Sequence, residues 1–85
     1  MLRLKVRRIR EGQHPSELVV AVTTADGKQE ELVVDRRSLT DDMINVGYPV
    51  GSEKNRLLIE LPRETLRGLW RIWVGQDDVV EGAAA

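Results

Sequence analysis

The sequence predicts a small α+β domain: an antiparallel sheet of four to five strands, with a C-terminal amphipathic helix over residues 62–74 packed on one face. Three observations carry that expectation. Residues 2–9 alternate apolar with basic side chains. Residues 17–35 have the form of a β-hairpin about Asp26-Gly27. Residues 62–74 place Leu66, Leu69, Trp70, Trp73 and Val74 on one helical arc. The alternative is an all-β small barrel or sandwich in which this last segment is a strand.

In the first segment Leu2, Leu4 and Val6 fall on one side, with Arg3, Lys5 and Arg7 on the other, the period-2 pattern of a half-buried strand. Ile9 breaks the alternation, which a bulge near Arg7-Arg8 would restore. Glu11–Ser16, punctuated by Gly12 and Pro15, is a loop. In the hairpin, a two-residue type I′ turn at Asp26-Gly27 sets Ala21 opposite Leu32, Val20 opposite Val33 and Val19 opposite Val34. Both faces are then apolar near the base, so both sides of the base are expected to be covered, or one side to meet a partner.

Residues 36–45 form a connection in which Ser38 or Thr40 would cap a single helical turn over Asp41 and Asp42. Ile44, Val46, Tyr48 and Val50 alternate again, and Pro49 places that strand at an edge. Gly51–Asn55 is a turn and Arg56–Leu61 a further strand. Pro62 and Gly75 suit the start and stop of the expected helix, with Gly68 as its weak point. Residues 1–76 form one domain, and the acidic, Ala-ended stretch 77–85 is expected to be disordered.

Composition bounds the function. Eighty-five residues make one domain, which buries roughly 60–65% of its unfolded surface and has a stability of about 5 kcal/mol. Phe is absent and the aromatics are Tyr48, Trp70 and Trp73, so the core is Val, Leu and Ile. Without cysteine there is no disulfide frame and no thiolate metal site. No apolar run approaches the ~20 residues of a membrane span. The basic N-terminus lacks the apolar core of a signal peptide. These features point to a soluble cytoplasmic domain. Net charge is −1, but bases collect at Arg3–Arg10 and acids at Asp77, Asp78 and Glu81.

Catalytic and metal chemistry find little footing. His14, the one histidine, precedes Pro15 in a polar loop. Ser16, Ser38 and Ser52 stand in no recognisable nucleophile setting. Asp41-Asp42 and Asp77-Asp78 are adjacent pairs, whose side chains diverge on a regular element. Gly47–Gly51 lacks the Gly-Lys-Ser/Thr ending of a phosphate loop. No enzyme, cofactor or metal is therefore expected. The order of a basic start, an Asp–Ser segment at 35–38 and a closing Trp-rich strand resembles the PilZ cyclic-dinucleotide receptors, with Arg3 and Arg7 in Arg-x₃-Arg spacing. Asp35-Arg36-Arg37-Ser38 has one residue too many for that family's Asp-x-Ser-x-x-Gly, and the glycine is missing. No site is carried over from it.

Two surfaces are candidates for binding. Leu66, Leu69, Trp70 and Trp73 form a stripe suited to a protein interface, and favour a non-enzymatic interaction module that self-associates, as a homodimer or with another protein. A plainer role for the stripe is to cover the sheet. Arg3, Lys5 and Arg7 would project at about 7 Å intervals, near the spacing of phosphates on a nucleic-acid backbone, and with Arg8, which with Arg10 could extend the row, they give a nucleic-acid-binding alternative. The plainer role of these bases is to guard an edge strand, or to pair with Glu17, Glu30 or Glu31.

Overall fold

A computed structural model describes residues 2–81. They form nine strands: β1 (Leu2–Lys5), β2 (Arg7–Glu11), β3 (Glu17–Thr23), β4 (Gln29–Asp35), β5 (Met43–Val46), β6 (Gly51–Glu53), β7 (Arg56–Glu60), β8 (Arg71–Gly75) and β9 (Val79–Glu81). Two single 3₁₀ turns, Arg36–Ser38 and Gln76–Asp78, complete the regular structure. The strands make three antiparallel sheets of three, in the orders β5-β1-β9, β2-β3-β4 and β6-β7-β8.

One aliphatic core joins them. Leu4 and Ile44 come from the first sheet, Val20, Val22 and Leu32 from the second, and Ile59 and Val74 from the third; all are fully buried. The chain passes from the first sheet to the second at Val6. Its N–H leaves the ladder and donates to the Asp42 carbonyl at 2.9 Å, while its side chain packs on the core. The expected irregularity near Arg7-Arg8 thus takes two forms: a break at Val6, and a register shift between Arg8 and Arg10.

The α+β expectation is overturned: among the described residues the chain is all-β, with no C-terminal helix. Residues 71–75 are β8, paired with β7 so that Ile72 faces Ile59 and Val74 faces Leu57. Ile72 and Val74 are buried and point inward together, at the period of a strand. Upstream, the hydrogen bonds run against a helix. The Thr65 N–H donates to the Leu69 carbonyl at 2.8 Å, the reverse of helical polarity, and Gly68 N–H closes a turn on the Thr65 carbonyl. The buried Thr65 hydroxyl accepts from the backbone N–H of Arg67 and Leu69, a local bond that competes with the helical ladder. Gly68 sits at φ +91°, outside the helical region.

The hairpin forms with a register one residue away from the expected one. Thr23 lies opposite Gln29, Val20 opposite Leu32 and Val19 opposite Val33. The connection is three residues, Ala25–Gly27, closed by a Gly27 N–H bond to the Thr24 carbonyl at 3.0 Å, with Gly27 at φ +83°. This is a turn ended by a left-handed glycine, not a type I′ pair. Leu18, Val20 and Val22 therefore share the core face with Leu32 and Val34, and Val19, Ala21 and Val33 face outward. The two-residue turn with paired positive φ lies elsewhere: Asp41 (55°) and Asp42 (58°), with Thr40 and Met43 exchanging both backbone bonds. The expected cap moves too, since Asp35 caps the turn over Arg36–Ser38. Asp77 and Asp78 lie in the second 3₁₀ turn and Val79–Glu81 is β9, paired with β1; residues 82–85 of the expected tail lie outside the described residues.

Two substitutions check these backbone assignments. Gly68→Ala has open space for its methyl, yet is expected to lower stability by about 1–2 kcal/mol because of the positive φ. In a helix the same change would raise stability by about 1 kcal/mol, so the sign of the shift in a urea-unfolding midpoint decides. Asp42→Gly, which relieves a left-handed aspartate at the second turn position, is expected to raise stability by about 0.5–1 kcal/mol, measured the same way.

Candidate functional site

The segment 62–70 is strapped across the open edge of β4. Leu61 N–H donates to the Trp70 carbonyl at 2.8 Å and closes the strap's base. Leu66 N–H donates to the Glu31 carbonyl, also at 2.8 Å, and ties its middle to β4. A charged tether adds to both. Glu30 lies opposite Val22 on the inward face of the hairpin, and only 2% of its surface is exposed. Its carboxylate is gripped by Arg67, through Nε at 3.2 Å and through Nη2. This partner holds the Arg67 guanidinium above its ordinary pKa. A buried carboxylate needs such a partner to remain in an apolar interior.

The strap holds apolar side chains in the open. Leu66 is 56% exposed, Trp70 55% and Leu69 40%. The four residues expected to form one stripe divide into two groups. Leu66 and Trp70 line a depression of about 440 Å³ with Val33, Arg63 and Thr65. Leu69 and Trp73 line another, of about 260 Å³. Trp73 is half-buried on the outward face of β8, where Arg56 lies 4.4 Å from its ring centroid. Trp73 lies in β8 and Trp70 in the strap before it, so the two rings line different depressions.

That second depression lies where the tip of the β3–β4 hairpin meets β8, tied by the Ala25 N–H bond to the Trp73 carbonyl at 2.7 Å. Lys28, Arg56, Arg67 and Arg71 line it, with Asp26 and Glu30. Arg56 is held by Glu53 (Nη2 to Oε1, 2.6 Å) and Arg71 by Glu60 (Nε to Oε2, 3.1 Å). The Thr24 hydroxyl donates to Asp26 and holds its carboxyl below the usual range.

The basic N-terminal row does not stay a row. Arg3 and Lys5 are in the first sheet and Arg7 and Arg8 in the second. Arg3 donates to the Thr40 carbonyl at 2.6 Å and Arg7 to Gln29 at 2.8 Å, while Arg8 lies 3.6 Å from Asp42. Of the expected acidic partners, Glu31 pairs with Arg10 at 3.0 Å, while Glu17 and Glu30 are met by Arg63 and Arg67 of the strap. Arg7 and Arg10 share the outward face with Val19 and Ala21, and bonds from β2 across to β4 lay their aliphatic stems over these small residues. That accounts for the near-complete burial of Val19 and Ala21 outside the core.

The remaining sequence candidates are local structure. His14 is exposed, and its carbonyl accepts from the Glu17 N–H as β3 begins. Ser38 donates to the Asp35 carbonyl, and Arg37 holds the Asp35 carboxyl below the usual range by donating to it. Among the described residues no three His, Cys, Asp or Glu side chains gather to hold a metal, and no helix is long and apolar enough to cross a membrane. No family model, curated protein or solved structure matches the chain.

The Glu30–Arg67 tether was hidden in the sequence, where Glu30 and Glu31 look alike; only the hairpin register turns one inward. Replacing Arg67 by Met leaves a buried carboxylate alone. It is expected to lower the thermal midpoint by about 5–15 °C, less than for a wholly buried pair because Arg67 is largely exposed. The double change Arg67→Met with Glu30→Leu should recover at least half of that loss in a scanning-calorimetry comparison.

Proposed function

We propose that this chain is a non-enzymatic protein-interaction module, acting in the cytoplasm, that self-associates through the face carrying Leu66 and Trp70. The single observation that carries the reading is a tryptophan more than half exposed, beside an exposed leucine, on a strap anchored at both ends. An aromatic fixed before binding loses little conformational freedom when covered, and exposed tryptophans are favoured as binding anchors. The chain also carries a second pair of exposed apolar side chains, Tyr48 and Val50 on either side of Pro49. Apolar side chains exposed at both places favour association between copies. A net charge of −1 sets little repulsion against it.

The nucleic-acid alternative on Arg3, Lys5, Arg7 and Arg8 has weaker support. The row is broken between two sheets, and its arginines are engaged by Thr40, Gln29 and Asp42.

Sedimentation equilibrium on the full chain tests the proposal. Association in the micromolar range is expected, with Trp70→Ser shifting the chain to monomer and changing the thermal midpoint by less than about 3 °C, as for an exposed substitution. A wild-type chain that stays monomeric at several hundred micromolar sinks the proposal.

A further inference from the structure

The second depression has a chemistry of its own. Four cationic groups, Lys28, Arg56, Arg67 and Arg71, line it against two carboxylates, Asp26 and Glu30. Both carboxylates are already engaged, Asp26 by the Thr24 hydroxyl and Glu30 by Arg67. The acids that hold Arg56 and Arg71, Glu53 and Glu60, are not among the lining groups.

The three guanidinium groups are held in the same way. Arg56 reaches Glu53, Arg67 reaches Glu30 and Arg71 reaches Glu60, each through its Nε–Nη2 edge. Among the described residues each therefore keeps its Nη1 donors uncommitted while its plane is fixed by a carboxylate. Arg56 is fixed a second time by the Trp73 ring. The Lys28 ammonium makes no hydrogen bond or ion pair among the described residues, although Asp26 is close enough to feel its charge. A guanidinium fixed in advance loses less freedom on meeting an anion than a mobile surface arginine.

From this we infer that the depression binds a phosphate oxyanion, supplied by a free polyphosphate or by the backbone of a single-stranded nucleic acid. A tetrahedral phosphate presents several acceptor oxygens at once and suits donors arriving from three or four directions. A carboxylate, planar with two oxygens, matches one guanidinium edge, and this chain already fills those edges with its own acids. Trp73 lines the depression, so the arrival of a ligand there changes the emission of that ring.

Titrating tripolyphosphate into the full chain at about 150 mM salt, followed by calorimetry and tryptophan emission, tests the site. Saturable single-site binding is expected. Lys28→Gln and Arg71→Gln should each weaken it about tenfold, the loss of one charge-assisted contact. Arg37→Gln, a control whose guanidinium lies against Asp35 and outside this depression, should change it less than twofold. The Lys28 ammonium makes no hydrogen bond or ion pair among the described residues, so its variant reads the site even if Arg71→Gln fails to fold. No saturation at millimolar tripolyphosphate, or an equal loss in Arg37→Gln, overturns the inference. A short single-stranded oligonucleotide that binds with the same dependence on Lys28 identifies backbone phosphates as the source; tripolyphosphate binding without it identifies the free anion. The site stands apart from the Leu66–Trp70 face, so Trp70→Ser should leave it intact.

Discussion

The structure depends on one constraint: the described residues form only short strands, of three to seven residues, and their three sheets must share a single aliphatic core. A sheet of three such strands has too little apolar surface to be stable alone. Each sheet therefore contributes a few inward side chains, with Val20 and Leu32 meeting Leu4, Ile44, Ile59 and Val74 at the centre. The linking devices follow from this need. Val6 lets one continuous stretch serve two sheets, the Ala25–Trp73 backbone bond joins the hairpin tip to β8, and β9 returns the chain end to β1. With no Phe to fill space, the interior relies on branched aliphatic side chains, which pack closely when short strands bring them from several directions.

Much of this was legible wherever burial alternates along a strand. Leu2 and Leu4 mark β1, because one buried face writes a period of two into the sequence. Arg56–Leu61 marks β7 as far as Glu60, whereas the alternation from Ile44 to Val50 is a strand only to Val46 and the expected turn at Gly51–Asn55 opens with β6. The hairpin was legible as a hairpin but not in its register. Asp26-Gly27 fits a two-residue turn, and nothing in the sequence says that Ala25 joins the loop. Since a shift of one residue exchanges faces, Leu32 could not be placed beside Val20, nor Glu30 turned inward, before the turn geometry was seen. Asp41-Asp42 was opaque for a related reason: aspartate tolerates positive φ but does not demand it as glycine does.

Residues 62–74 misled because their apolar positions fit two periods at once. Leu66, Leu69, Trp70 and Trp73 lie on a helical arc, yet Ile72 and Val74 are the side chains the core takes. Local terms settle the competition. Thr65 offers its hydroxyl to the backbone, Gly68 takes a positive φ, and the β-branched Ile72 favours extension. The candidate interface was thus legible residue by residue but not as a unit. Leu66 and Trp70 face one way and Leu69 and Trp73 another, a separation that only the strand assignment reveals. The cationic depression was not legible at all, since Lys28, Arg56, Arg67 and Arg71 come from three separate parts of the chain.

Arg67 links the two surfaces. Its backbone belongs to the strap that lifts Leu66 and Trp70 into the open, while its guanidinium, anchored on Glu30, forms one wall of the cationic depression. The same bond therefore holds an apolar recess on one side and orients a phosphate-sized donor on the other. A ligand that draws on the free Nη1 of Arg67 without breaking the Nε–Nη2 grip leaves the strap in place, and the two surfaces act independently. A ligand that competes with Glu30 for the whole guanidinium instead leaves a buried carboxylate unpaired. The strap's middle is then tied to β4 by the Leu66 backbone bond without the charged tether beside it. Because a carboxylate in an apolar interior is costly to strand, the first mode is the lower in free energy. The depression is accordingly a site that reads an anion with donors the fold leaves over, rather than with those on which it depends.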